Sequence, residues 1–203
     1  MKRLYLKVPI ELFAKAKEQG ITNPNAVVIY SLILNNYFYF NRMNWGNKTI
    51  CNELQITKTQ LCHALKELQD KGWIEIQRNV TFNDKKHKRI IIPKYNVTRY
   101  KSIHNKHKTK IRYIAIQYEA IKLFTQYDFT YNRALLVWSR IENIQDLPAL
   151  KEYTITLCGK EFCVSRRMCS TYFRELQDKG WIYKENGVWK TVDLLTLTQN
   201  QNK

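Results

Sequence analysis

Two hydrophobic periods alternate along this chain, and their order sets out a run of elements. Leu4-Tyr5-Leu6-Lys7-Val8 predicts a short extended segment, followed by a short helix over Ile10–Glu18. Asn23 as a cap and Pro24 as first helical residue predict a main helix through Val27, Val28, Ile29, Leu32 and Ile33. A short helix is expected over Thr49–Leu54, a turn at Gln55-Ile56-Thr57, and a longer helix from Lys58 to Lys71. In that longer helix Leu61, Leu65 and Leu68 fall at i, i+4 and i+7, one inward stripe. Strands Trp73–Phe82 and Arg89–Pro93 are expected around a basic loop, Asn83-Asp84-Lys85-Lys86-His87-Lys88.

The pattern then repeats. Glu67-Leu68-Gln69-Asp70-Lys71-Gly72-Trp73-Ile74 returns unchanged as Glu175 to Ile182, 108 residues later. At the same offset, and without a gap, Tyr5 aligns with Tyr113, Glu11 with Glu119, Asn35 with Asn143 and Glu53 with Glu161. Tyr30 meets Trp138, and the stripe Leu61, Leu65, Leu68 becomes Cys169, Phe173, Leu176. Internal duplication is the direct reading. The second copy is expected to open at Tyr113–Ile116, continue as helices over Tyr118–Phe124 and from about Thr130 through Ile141, and end in a tighter hairpin at Asn186-Gly187. Within the octapeptide, Lys followed by Gly reads as a helix ending and Trp-Ile as a strand beginning. The domains are therefore placed at 1–98 and 113–203, with 99–112 as linker.

Charge changes the picture from fold to partner. The chain carries 34 Lys and Arg against 17 Asp and Glu, a formal +17. The excess is +9 over residues 1–98, +6 over the acid-free 99–112 and +2 over 113–203. So positive a field favours a polyanion. Nucleic acid is preferred to an anionic membrane, because no basic amphipathic helix or lipidation motif is visible. Ala26–Leu34, the longest apolar run, is far short of the roughly 20 residues that span a bilayer. No signal peptide is visible and the five cysteines include no Cys-x-x-Cys pair, so a cytoplasmic protein is expected.

Helix, three-residue turn, longer helix and hairpin is the layout of a winged helix-turn-helix. Ile50-Cys51-Asn52-Glu53-Leu54-Gln55-Ile56-Thr57-Lys58-Thr59-Gln60-Leu61, with Leu65-Lys66-Glu67-Leu68 and Gly72-Trp73-Ile74, resembles bacterial winged-helix DNA-binding domains. The opening Tyr5-Leu6-Lys7-Val8-Pro9-Ile10-Glu11-Leu12-Phe13 is similar to helix-turn-helix proteins of plasmids and phages, several of which start replication. Some plasmid initiators carry two winged helices in tandem. The fold class expected is thus mostly α with small β wings (α+β), as two tandem winged helix-turn-helix domains. The resemblance implies sequence-specific binding of double-stranded DNA by a bacterial or phage protein, either a mobile-element replication initiator or a transcriptional regulator.

A helix turning by about 100° per residue puts Thr59, Cys62, His63 and Lys66 opposite the Leu61 stripe, with Lys58 and Gln60 flanking the helix start. The matching set is Arg167, Ser170, Thr171 and Arg174, flanked by Arg166 and Met168. Arg and Gln can contact guanine or adenine edges bidentately, whereas Lys mostly meets phosphate. Arg78, Lys85, Lys86, Lys88 and Arg89 crowd the first wing; the second keeps Lys184 and Lys190 beside Glu185. Arg99, Lys101, Lys106, Lys108 and Lys110 make the linker either a solvated tether or a basic strap along phosphates. Unequal roles follow: the first copy and the linker supply affinity, and the second adds a reading head or a protein contact.

No enzyme, cofactor or metal is expected. There is no Gly-rich phosphate loop, and His104 and His107 lack Cys or carboxylate neighbours. Cys158 and Cys169 align with Ile50 and Leu61, which makes them small core hydrophobes. Tyr37-Phe38-Tyr39-Phe40 has no counterpart in the second copy, and fills core around a bend or serves a homodimer or interdomain contact. The contrasting reading is a tandem winged-helix scaffold for protein interaction in a DNA-associated complex. The chain's charge argues against that reading, and against single-stranded nucleic acid stands the helical spacing of the aromatics.

Overall fold

The computed structural model describes residues 5–40, 43–82, 85–94, 113–129 and 133–201, with backbone alone at 38–40, 80, 82, 85–88 and 201. The chain divides into two compact units, Lys7–Tyr113 and Ile114–Lys203, the latter taking in Met1–Leu6. The described residues are mostly helical, with small antiparallel sheets.

The first unit contains α1 (Glu11–Glu18), α2 (Ala26–Phe40), α3 (Asn47–Leu54), α4 (Lys58–Asp70) and a hairpin of β2 (Ile74–Phe82) with β3 (Lys85–Pro93); β1 (Tyr5–Pro9) precedes them. The second repeats the order as β4 (Tyr113–Gln117), α5 (Tyr118–Gln126), α6 (Arg133–Ile144), α7 (Ile155–Phe162), α8 (Arg166–Asp178) and a hairpin of β5 (Ile182–Glu185) with β6 (Val188–Thr191). A 3₁₀ turn at Pro148–Glu152 and a last helix, α9 (Leu194–Gln201), have no counterpart among the first unit's described elements.

Matched residues do matched work. Asn35 Nδ2 donates to the Lys7 carbonyl at 2.8 Å, and the aligned Asn143 donates to the aligned Ala115 carbonyl at 3.1 Å. Each asparagine therefore ties the opening strand to the main helix from inside the same unit. The octapeptide closes α4 and α8 identically. Trp73 N–H bonds the Leu68 carbonyl at 2.8 Å and Gly72 N–H that of Gln69 at 2.9 Å; Trp181 and Gly180 repeat both bonds at the same distances. That is a Schellman closure, with each glycine at φ +71, where a Cβ would be strained. The carbonyls of Trp73 and Trp181 then accept from Lys94 and Val192, which closes the base of each hairpin. Both indoles are buried, Trp73 edge-on to Tyr30 and Trp181 edge-on to Phe124, Tyr127, Phe129 and Trp138.

Two local differences from the sequence-based expectations have physical causes, and one octapeptide side chain has a partner the sequence does not announce. Asn23 Oδ1 accepts from Asn25 N–H, so Pro24 lies in a capping turn and regular helix begins only at Ala26. The first hairpin runs through Lys85–Lys88, expected as loop, because pairs such as Thr81 with Lys86 extend the ladder. In the octapeptide, Lys179 serves another helix: its ammonium donates to the Tyr127 carbonyl at the end of α5, at 2.6 Å.

Candidate nucleic-acid interface

α4 starts sharply because Thr57 and Gln60 form a reciprocal capping box: Gln60 N–H donates to Thr57 Oγ1 at 3.2 Å, and Gln60 Oε1 accepts from Thr57 N–H at 2.9 Å. In the second unit Ser165 caps α8 alone, accepting from Met168 N–H at 3.2 Å. The turn before each helix passes through a left-handed residue at aligned positions, Gln55 at φ +52 and Cys163 at φ +54. α4 buries Leu61, Ala64, Leu65 and Leu68; α8 buries Cys169, Tyr172, Phe173 and Leu176.

The opposite faces carry the residues singled out from the sequence. Lys58, Thr59, Gln60, Cys62, His63 and Lys66 are exposed on α4. Arg166, Arg167, Met168 and Arg174 are exposed on α8, with Ser170 and Thr171 half-buried. Their chemistry is not uniform. Gln60 spends its amide oxygen on the cap, so it is not free to read adenine with both ends of its amide. Ser170 and Thr171 donate their hydroxyl protons to the carbonyls of Arg166 and Arg167 at 3.0 and 3.1 Å, so each hydroxyl can act towards another group only as an acceptor.

In the first hairpin Arg78 and Arg89 are directly opposite. Arg78 is exposed, but Arg89 is held: Nη1 donates to Asn47 Oδ1 at 2.6 Å and Nη2 to the Trp45 carbonyl at 2.8 Å. Burial, opposed by the Cys62 sulfur and joined by the Arg78 charge, lowers Arg89 below the usual arginine value, where it remains a cation. Asn47 Nδ2 also lies 3.8 Å from Cys62 Sγ on the outer face of α4. Arg89 and Asn47 thereby join the middle of the hairpin, the start of α3 and the outer side of α4. Sequence alone does not single out Asn47; its partner lies 42 residues away, and no local pattern announces such a pair.

Lys85, Lys86 and Lys88 belong to β3 by their backbone, and their side chains lie outside the described residues, as do Arg99, Lys101, Lys106, Lys108 and Lys110. The second hairpin is shorter, with strands of 4 residues against 9. Its cations are engaged at home: Lys190 Nζ is 2.7 Å from Glu185 Oε2, and Lys184 Nζ sits 5.4 Å from the centre of the Trp189 ring across the strand pair. The hydrogen bond to Glu185 raises the Lys190 pKa, with the carboxylate charge adding to it.

Among the described residues no helix is long and apolar enough to cross a membrane. Of the expected aromatic contact, Tyr37 is half-buried and the side chains of Phe38, Tyr39 and Phe40 lie outside the described residues. No protein-family model matches the chain, and comparisons with curated proteins and with solved structures return no match.

Proposed function

We propose that this chain is a sequence-specific binder of double-stranded DNA, built as two tandem winged helix-turn-helix domains, and acts as a mobile-element replication initiator or transcriptional regulator rather than an enzyme. The observation that carries this reading is the arrangement found in both units. A capped helix turns its apolar stripe inward and a polar, cationic face outward, and a Schellman closure fixes it to a hairpin. In the first unit Arg89 and Asn47 tie hairpin and helix together. Such an arrangement suits a helix in the major groove with a wing along the backbone.

The two units divide the work. The first, with its long basic hairpin and the cationic stretch after it, supplies most of the phosphate neutralisation. The second, whose hairpin cations are engaged internally, contributes through Arg166, Arg167 and Arg174 on α8. Arginine is the side chain best suited to a bidentate guanine contact.

Selection of bound sites from random duplex DNA by the full chain, followed by titration against salt, tests the reading. Two enriched half-sites with steep salt dependence are expected. No enriched motif would remove the sequence-specific claim, and a flat salt response would remove DNA binding by this face.

A further inference from the structure

In α7 and α8, the two helices of the second unit's helix-turn-helix, Cys158 Sγ and Cys169 Sγ lie 3.5 Å apart, both fully buried. The aligned residues of the first unit are Ile50 and Leu61, both also fully buried. One unit thus fills these two positions with branched aliphatics and the other with two thiols. Glycine at 159 suits the tight turn between them: a Cβ there would stand 3.0 Å from the Val164 carbonyl oxygen, and at an ordinary 3.7 Å from Cys169 Sγ.

We propose that Cys158 and Cys169 are an oxidation site, closing a disulfide that staples α7 to α8 when the protein meets a hydroperoxide. Closure needs the sulfurs to move from 3.5 Å to the bonded separation of about 2.05 Å. The reaction balances with the peroxide as sole oxidant. One thiolate attacks a peroxide oxygen, the O–O bond breaks, and a sulfenic acid and water form. The neighbouring thiol displaces hydroxide from the sulfenic sulfur, forming the S–S bond and a second water. In total two thiols and one hydrogen peroxide give one disulfide and two waters.

The pair is unequal. Sharing the hydrogen bond with Cys169 raises Cys158, and burial adds to the rise. The same bond lowers Cys169 in spite of its burial. Burial also sets the rate: peroxide reaches the sulfurs only as the helix pair opens locally, so sustained oxidation is required.

The test uses the full folded chain carrying Cys51→Ser, Cys62→Ser and Cys163→Ser, incubated with hydrogen peroxide, then alkylated in denaturant and mapped by mass spectrometry before and after reduction. The expected product is a Cys158–Cys169 peptide pair, lighter by two hydrogens than the reduced pair and released by dithiothreitol. Thermal unfolding of the same sample should move to higher temperature and return on reduction. Two thiols that remain fully alkylatable, or that go only to sulfinic and sulfonic acids, would overturn the proposal. Should the triple variant not fold, mapping the wild-type chain gives the same decision, since the cross-linked peptides are identified by sequence. The readouts involve the protein alone, so their outcome is independent of DNA binding.

Discussion

Glu67, like Lys179 in the second copy, is an octapeptide side chain that reaches beyond its own helix. Its carboxylate accepts from Thr22 N–H at 2.7 Å, Thr22 Oγ1 at 3.0 Å and Asn23 N–H at 3.0 Å, at the turn that leads into α2. Burial pushes its pKa up, but the hydrogen bonds from Thr22 and Asn23, with Lys71 nearby, outweigh it and hold the group below the ordinary glutamate value. A folded-state pKa below the unfolded one stabilises fully above the unfolded value of about 4.3, and that stabilisation is lost as pH falls through the folded value. Glu67→Gln should therefore cost about 1 kcal/mol at neutral pH, discounted for partial exposure, and nothing in acid. Urea unfolding of both proteins from pH 7 down to pH 2 checks this; a gap that stays constant would mean the carboxylate charge contributes nothing. Arg89 and Arg78 make a second contrast. Arg89→Ala strands the Trp45 carbonyl and Asn47, and should lower stability by about 2 kcal/mol. Arg78→Ala should leave stability unchanged and make the log–log salt slope of DNA binding shallower by about one. Equal losses of stability in the two variants would contradict the anchoring role of Arg89.

The hairpins show how a shared frame carries different chemistry. Each is closed at its base by the same backbone bond, Lys94 to Trp73 or Val192 to Trp181, so the difference lies wholly in the reach beyond that bond. Elements whose cause is local were readable in advance: the inward stripe of α4, the Lys-Gly closure and the tight turn at Asn186-Gly187 all declare themselves within a few residues. Duplication added more, since Asn35 and Asn143 could be matched before their common task was visible. What stayed hidden is which side chains meet once two elements are set against each other. The engagement of Arg89 by Asn47, of Lys184 by Trp189 and of Cys158 by Cys169 cannot be read from composition, which counts each only as a charge or a thiol. Charge runs are thus an upper limit on what a hairpin offers to phosphate. Changing Lys85, Lys86 and Lys88 together to alanine should reduce the log–log salt slope of binding by at most about 3. Changing Lys184 and Lys190 should barely alter it, because those cations already have internal partners. A slope that responds equally to both sets would refute the proposed division between the units.

Net charge falls from +9 over residues 1–98 to +2 over 113–203, while the arginines expected to read bases sit on α8 in the nearly neutral part. On the proposed reading, affinity and specificity are then separable properties of one chain. Phosphate contacts act on all sequences alike, and base-edge contacts act only where the matching pair is present. Arg166 and Arg167 are exposed in the first turn of α8, which on the proposed reading is the part of the helix nearest the base edges. With both changed to alanine, site selection by the full chain should lose information at one half-site and leave the other as strongly enriched as before. Affinity for the cognate site should fall by about 1–3 kcal/mol for each arginine that pairs bidentately with a guanine, and the salt slope should lessen by at most about 2. Equal weakening on cognate and scrambled duplexes would reassign both arginines to phosphate, and loss of both half-sites together would mean that the units do not read independently.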